Sequence, residues 1–393
     1  MASQVPAVAK PAFYNDPKIR GLAAQLLVLG IVVAAGWYLV HNTIENRARL
    51  GVASGFGFLW ANAGFDISQT LISFGAAGSS YARAFVVGLL NTFYVGVVGI
   101  IFATIIGFLM GVARLSKNWL LSRFAQVYIE IIRNIPLLLQ LIFWYTVVLQ
   151  AMPAPRDSLT LLPGVYLNVR GLFIPKPVFE DGAGLELIAV VVAIIAVIVL
   201  ARWAKARREA TGQPFPTFWT SVAILIGLPL VTNLVLGGAV TLDYPKLGAF
   251  RLEGGYTLLP EFMALVLGLS IYTGAFIAEN VRSGILAVSK GQWEAAGALG
   301  LSPGHTLRLI VIPQALRVII PPLTSQYLNL VKNSSLGVAI AYPDFFSIAG
   351  TINNQTGQAV EVIAITMGVY LALSLLISAA MNVYNAKMAL VER

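Results

Sequence analysis

The sequence predicts an all-α fold, a polytopic membrane helical bundle of about eight transmembrane helices, and three observations lead there. Of its 393 residues, 58% are hydrophobic and 11% charged, against about 25% charged in an average soluble domain. The apolar residues gather into runs of about 20, the length a helix needs to cross ~30 Å of hydrocarbon. Lys and Arg fall between those runs and favour alternate loops.

The runs are 22–40, 86–112, 125–150, 185–201, 219–240, 261–280, 312–332 and 361–381. Ahead of them lies an N-terminal tail, 1–21, of which residues 1–20, containing Pro6, Pro11 and Pro17, read as disordered. The first run exceeds the 7–15 residues of a signal-peptide core, and no small-x-small site precedes Trp37 and Tyr38. It therefore reads as an uncleaved anchor. The fourth run is only 17 residues long, and the seventh carries Pro313, Pro321, Pro322 and Lys332, so seven spans is the alternative count. Loops 41–85 and 151–184 hold Gly, Pro and aromatic residues without a domain-sized core, and read as short caps. No internal repeat is visible at the residue level.

Positive loops are retained in the cytoplasm. With the N-terminus inside, segments 1–21, 113–124, 202–216, 281–311 and 382–393 hold 15 basic residues in 91 positions. Segments 41–85, 151–184, 241–260 and 333–360 hold 8 in 127. Both termini are accordingly placed inside, and Arg202, Lys205, Arg207 and Arg208 in ARWAKARREATG reinforce that orientation locally. The net charge of +9 is spread over loops and forms no basic patch, so topology explains it better than a nucleic-acid partner. With no cysteine in the chain, disulfides, thiolate metal sites and a Cys nucleophile are excluded.

In the second run Gly99, Ala103, Gly107 and Gly111 recur every four residues, with Gly88 and Gly96 nearby. Such a face admits another helix backbone closely, which matters in lipid; it reads as packing, with pathway lining as the alternative. Glu130 and Arg133 in YIEIIRNIPLLLQ share a helix face, as do Glu279 and Arg282 in AFIAENVRSG. Each couple is either an interfacial ion pair whose Arg reaches to water or part of a cytoplasmic gate, because ionisable groups beside hydrocarbon are costly. Pro136 is expected to bend the third span just past the first couple. Lys332 in YLNLVKNSSLG, with Asn329, Asn333, Ser334 and Ser335, either ends its span or lines a route. Gln140 and Tyr272 are further polar residues within spans.

SKGQWEAAGALGLSPG, residues 289–304, interrupts this apolar pattern. Ser289 and Gln292 have capping-box spacing, so a helix is expected from Lys290 through Glu294, Ala295, Ala296 and Leu299. Gly300 suits a left-handed cap with Leu301 folding back, and Ser302-Pro303 suits the start of a second helix ending at Pro313. Two short helices with a fixed bend result. They form either a structural loop or a docking element, with Trp293 and Glu294 as handles and the alanines letting the backbone seat in a groove.

These residues resemble a family. GQWEAAGALGLSPGHTLRLIVIPQALRVIIPPL is similar to the EAA loop of ABC-transporter permeases, in the form used by importers of polar amino acids. Gln292, Glu294, Ala295, Ala296, Leu299, Gly300, Pro313, Gln314 and Ala315 match that pattern. YTGAFIAENVRSGI, EIIRNIPLLLQL and LVKNSSLG resemble further segments of the family. The resemblance implies a five-helix permease core in 86–150 and 261–393, with coupling loop 281–311. An extra span and loop (22–85) and an insertion with two further spans (151–260) complete a layout similar to the Q-type permease of general L-amino acid importers.

The resemblance also implies the machinery. A homologous permease, as a heterodimer, would complete the pathway; two cytoplasmic ATP-binding subunits would drive it; a periplasmic amino acid-binding protein would deliver substrate across a bacterial inner membrane. Gly291, Gln292, Trp293, Glu294, Ala295, Ala296, Leu299 and Gly300 would couple to the ATPase. Glu130, Arg133, Gln140, Tyr272, Glu279, Arg282, Asn329 and Lys332 are the gate or pathway candidates. No G-x-x-x-x-G-K-[ST] loop occurs, so no cofactor is expected on this chain, ATP and Mg belong to partners, and the chain is not expected to be an enzyme. An ion-coupled secondary transporter is the alternative, but it would place carboxylates at mid-span. A membrane-embedded transferase would need convergent catalytic groups, and the two histidines, His41 and His305, fall on opposite sides.

Overall fold

The computed structural model describes residues 17–50, 54–248 and 252–388. Among these, seven helices are long and apolar enough to span a membrane, or eight if one bent pair counts as a span. Helix α1 (Pro17–Leu50) presents only exposed side chains from Arg20 to Thr43. Helix α2 (Tyr81–Arg114) starts where the Ser80 hydroxyl accepts the Arg83 N–H at 3.3 Å. Helix α3 (Trp119–Asn134) is capped likewise by Asn118, and stops before Pro136. Helix α4 (Leu137–Ile142) then leaves at 107° and continues as π-wound backbone over Phe143–Leu149. The bend expected at Pro136 is thus a complete break, because the ring both removes a donor and excludes helical geometry from the preceding residue.

The two flanks of segment 151–260 are zipped together by short strands that hydropathy did not reveal. These are β1 (Leu159–Leu162), β2 (Val165–Asn168), β3 (Gly171–Ile174) and β4 (Lys176–Phe179) before the hairpin of α5 (Ala183–Thr211) and α6 (Thr217–Val235). After it come β5 (Val240–Asp243), β6 (Lys246–Leu247), β7 (Leu252–Glu253) and β8 (Tyr256–Leu258). Strand β4 pairs antiparallel with β5, and β8 joins β1-β2-β3 as a fourth antiparallel strand, with Phe173 opposite Thr257. At Gly171 (φ +124°) an added Cβ would lie 2.1 Å from the Leu258 carbonyl oxygen, so only glycine fits that pairing.

Helix α7 (Pro260–Leu286) returns through the core. Then follow α8 (Lys290–Ala298), α9 (Pro303–Thr306), α10 (Ile312–Asn333), α11 (Phe345–Thr356) and α12 (Ala359–Met388). Helix α11, absent from the hydropathy reading, begins where Asp344 Oδ1 accepts the Ser347 N–H at 2.8 Å and ends at Gly357 (φ +67°). Burial pushes the Asp344 carboxyl up to about 6, against the pull of backbone N–H donors and the Tyr370 hydroxyl.

The glycines of α2 settle three contacts at once. A Cβ on Gly107 would sit 2.4 Å from Ile277 Cγ2, and one on Gly111 would lie 2.7 Å from the Ala278 carbonyl, both on α7. Gly96 and Gly99 face Val331 and Leu330 of α10, and Gly88 lies against Phe345 of α11. The face therefore serves packing. Gly107→Val should cost about 1–3 kcal/mol by overpacking, read as a lower thermal midpoint of the purified protein. Gly368→Ala, where nothing lies within 4 Å, should not lower it; equal behaviour of the two variants would refute the contact.

Candidate functional site

Helix α8 stands between α7 and α10 with most of its motif outward. Ala296 is fully buried, whereas Gly291, Gln292, Trp293, Glu294, Ala295, Leu299 and Gly300 are exposed. Its C-terminus closes as expected: the Leu301 N–H reaches the Ala296 carbonyl at 3.1 Å and the Gly300 N–H reaches Gly297 at 2.9 Å, with Gly300 at φ +73°. This doubly bonded left-handed cap fixes the corner.

Its N-terminus differs from the expectation. The Ser289 side chain makes no capping bond, and Gln292 does not reach back. Gln292 Oε1 instead accepts from Gln314 Nε2 at 3.2 Å, tying α8 to α10. The expected second short helix is not separate either. From Pro303 the chain passes through a π-wound turn at Leu307–Val311 straight into α10. That wider turn accommodates Pro313, which has no N–H to contribute. Helix α8 is therefore joined by a fixed corner to one continuous rod that enters the membrane.

The two E-x-x-R couples share a spacing and diverge in structure. Arg282 Nε donates to both Glu279 carboxylate oxygens, at 3.1 and 3.2 Å. Glu130 and Arg133 do not pair. Glu130 accepts from Gln126 Nε2 at 2.8 Å, while Arg133 lies 5.1 Å above the Phe276 ring of α7. Phe276 stands beside Tyr272, ring centres 5.0 Å apart. Arg133 is in the last turn of α3, where the break at Pro136 leaves it free to turn toward α7. Along α10, Ser325, Asn329 and Lys332 share one exposed face. A cation at such a position is costly against lipid unless it meets water or another chain.

The chain matches the family described as binding-protein-dependent transport system inner membrane component over residues 193–390. It is 56% identical to the general L-amino acid transport system permease protein AapQ of Rhizobium johnstonii, covering 96% of this chain and 94% of that one. The putative amino-acid ABC transporter permease protein YhdX of Escherichia coli is 51% identical, with 97% of both chains covered. The glutamate/glutamine/aspartate/asparagine transport system permease protein BztB of Rhodobacter capsulatus is 41% identical over 96% of each chain.

The chain belongs to that family. It is a permease subunit of an ABC importer, a transport component. That membership favours ATP-driven import over the ion-coupled alternative.

Within the permease, the eight gate or pathway candidates do not form one cluster. Arg133, Tyr272, Glu279 and Arg282 lie along the α3–α7 contact, where the Tyr128 hydroxyl also donates to the Ile271 carbonyl at 2.6 Å. Glu130 stays exposed on α3, 3.9 Å from Arg114 of α2. Because α7 and α10 run antiparallel, with Gly284 against Ile319 and both Ser270 and Leu330 against Gly99, Asn329 and Lys332 stand level with the middle of α7, farther than Glu279 from the α8 corner.

Gln140 has a structural task. Its buried amide donates to the Ile132 and Ile135 carbonyls at 3.0 and 2.9 Å, acceptors that the break at Pro136 deprives of helical partners. Sequence reasoning missed Phe276, which nothing in the spacing marks, and Ser325, which the i−4 position from Asn329 could have found. Gln140→Met should leave both carbonyls unpaired and cost about 1–3 kcal/mol. The expected readout is faster hydrogen exchange confined to the α3–α4 junction; unchanged exchange there would remove this role.

Proposed function

We propose that the permease forms one side of an amino acid import pathway and that α8 is the handle through which partner ATPases move it. The observation that carries this reading is the connection just described: an exposed helix with Glu294 outward, locked by Gly300, and joined through that fixed corner to the continuous rod bearing Asn329 and Lys332. Displacement of α8 is then delivered to the polar face of α10. The substrates are L-amino acids, in keeping with the relatives' names.

The complex contains a second, homologous permease, two cytoplasmic ATP-binding subunits that use ATP and Mg, and a periplasmic binding protein. Both termini lie on the cytoplasmic side of the inner membrane, and this chain binds no cofactor of its own. The inner group of Glu279, Arg282, Arg133 and Tyr272 serves as the cytoplasmic gate, and Asn329 and Lys332 face the route. The exposed polar stripe of Ser325, Asn329 and Lys332, with no side-chain partner among the described residues, supports a second permease, which would supply the other wall.

Vesicles holding the complex should take up labelled L-amino acids only with both ATP and binding protein present; uptake driven by an ion gradient without ATP would overturn the proposal. Glu294→Lys should insert normally yet bring uptake and ATPase stimulation to background, whereas normal uptake would remove the coupling role. Purification through a tag on this chain should bring down a second permease species, and recovery of this chain as the sole permease would refute the heterodimer.

A further inference from the structure

The inserted hairpin carries chemistry that the import reading does not use. Helix α6 buries no side chain, and α5 spans 29 residues, roughly 43 Å at 1.5 Å per residue, so its last turns project beyond the hydrocarbon. In those turns Arg202, Lys205, Arg207 and Arg208 are all exposed. Lys205 is paired with Glu209 at 3.8 Å, while no ion pair among the described residues involves the three arginines. The Arg207 guanidinium lies 5.4 Å over the Trp203 ring, and Phe215 meets the same indole edge-on at 5.2 Å. On the first turn of α6, Phe218 and Trp219 are 69% and 72% exposed. Indole rings and guanidinium groups are thus gathered at one level, with bare apolar helix on one side.

We propose that this end of the hairpin binds the headgroups of anionic phospholipids and so pins the insertion to one leaflet. Guanidinium forks match phosphate oxygens in a two-point geometry. Basic clusters immediately beside a span attract anionic lipid, and indoles settle at headgroup depth. An acidic protein would explain the arginines but would gain nothing from aromatic rings continuous with the lipid-facing sides of α5 and α6. The inference rests on the membrane placement proposed above and is independent of what is transported.

The test uses the purified complex in lipid discs. Trp203 and Trp219 fluorescence, obtained by difference from the Trp203→Phe/Trp219→Phe variant, is quenched with brominated phosphatidylglycerol or brominated phosphatidylcholine at equal mole fraction. The anionic lipid should associate at least about fivefold more strongly, the preference expected of a single engaged cation. That preference should vanish in Arg202→Gln/Arg207→Gln/Arg208→Gln and persist when the same three arginines become lysine. Equal quenching by the two lipids, or a preference surviving in the Gln variant, would overturn the proposal. Salt-sensitive capture of a partner subunit, lost in the Gln variant and without lipid preference, would also overturn it by giving the surface to a protein. A complex that fails in amino acid uptake but keeps the lipid preference would refute the import reading and leave this one standing.

Discussion

The close approach of α2 to its neighbours is the contact on which the remaining architecture depends. Among lipid tails no hydrophobic gain separates helix–helix from helix–lipid contact, so association rests on how densely two surfaces meet. Helix α2 meets α7 at Gly107 and Gly111, α10 at Gly96 and Gly99, and α11 at Gly88. Three neighbours are thereby ordered around one small-residue helix. Polar groups then fix register: Ser270 Oγ donates to the Gly99 carbonyl, and Asn91 Nδ2 donates to the carbonyls of Gln69 and Pro343, each of the latter at 2.9 Å. Buried in a poorly solvating interior, such bonds are costly to leave unmade, so they disfavour slippage that van der Waals contact alone would tolerate.

Against this ordered frame, α8 owes its mechanical character to its ends. Gly300 closes one side with two backbone bonds, and Gln292 is tied to Gln314 on the other. Neither restraint lies in the exposed face that carries Glu294. A partner can therefore grip that face without dismantling the restraints, and any displacement must pass into α10 or α7. The π-wound turn at Leu307–Val311 keeps the helix continuous across Pro313, so the rod is not broken between that corner and α10.

Much of this was legible in the sequence, and the divisions follow from physics. Spans were visible because hydrocarbon thickness sets their length, and the Gly300 corner was visible because left-handed backbone strongly favours glycine. The stalk β1–β8 was not, because strands of two to four residues leave no periodicity to read and their pairing joins residues some 80 positions apart, as in Phe173 with Thr257. Helix α11 is too short for a hydropathy window, although Asp344 and Gly357 flank it as cap residues. In the site, spacing placed Glu279 and Arg282 correctly as partners but could not show that Arg133 would choose an aromatic ring, because that choice depends on α7 arriving beside the end of α3.

The divergence of the two E-x-x-R couples bears on where the pathway runs. Glu279 and Arg282 neutralise each other, and Arg133 lies against a π face, so the charges of the α3–α7 contact are largely satisfied within the chain. Lys332 is different: it is exposed on α10, in line with Asn329 and Ser325, with no ion-pair partner among the described residues. A lone ammonium is far more costly against acyl chains than against water or a neighbouring protein wall. Of the surfaces this chain leaves bare, the sides of α1, α5 and α6 are apolar and suit lipid, whereas this face of α10 does not. The asymmetry is what the proposed pathway requires of α10, a polar face for a second permease to complete, with apolar faces elsewhere for lipid.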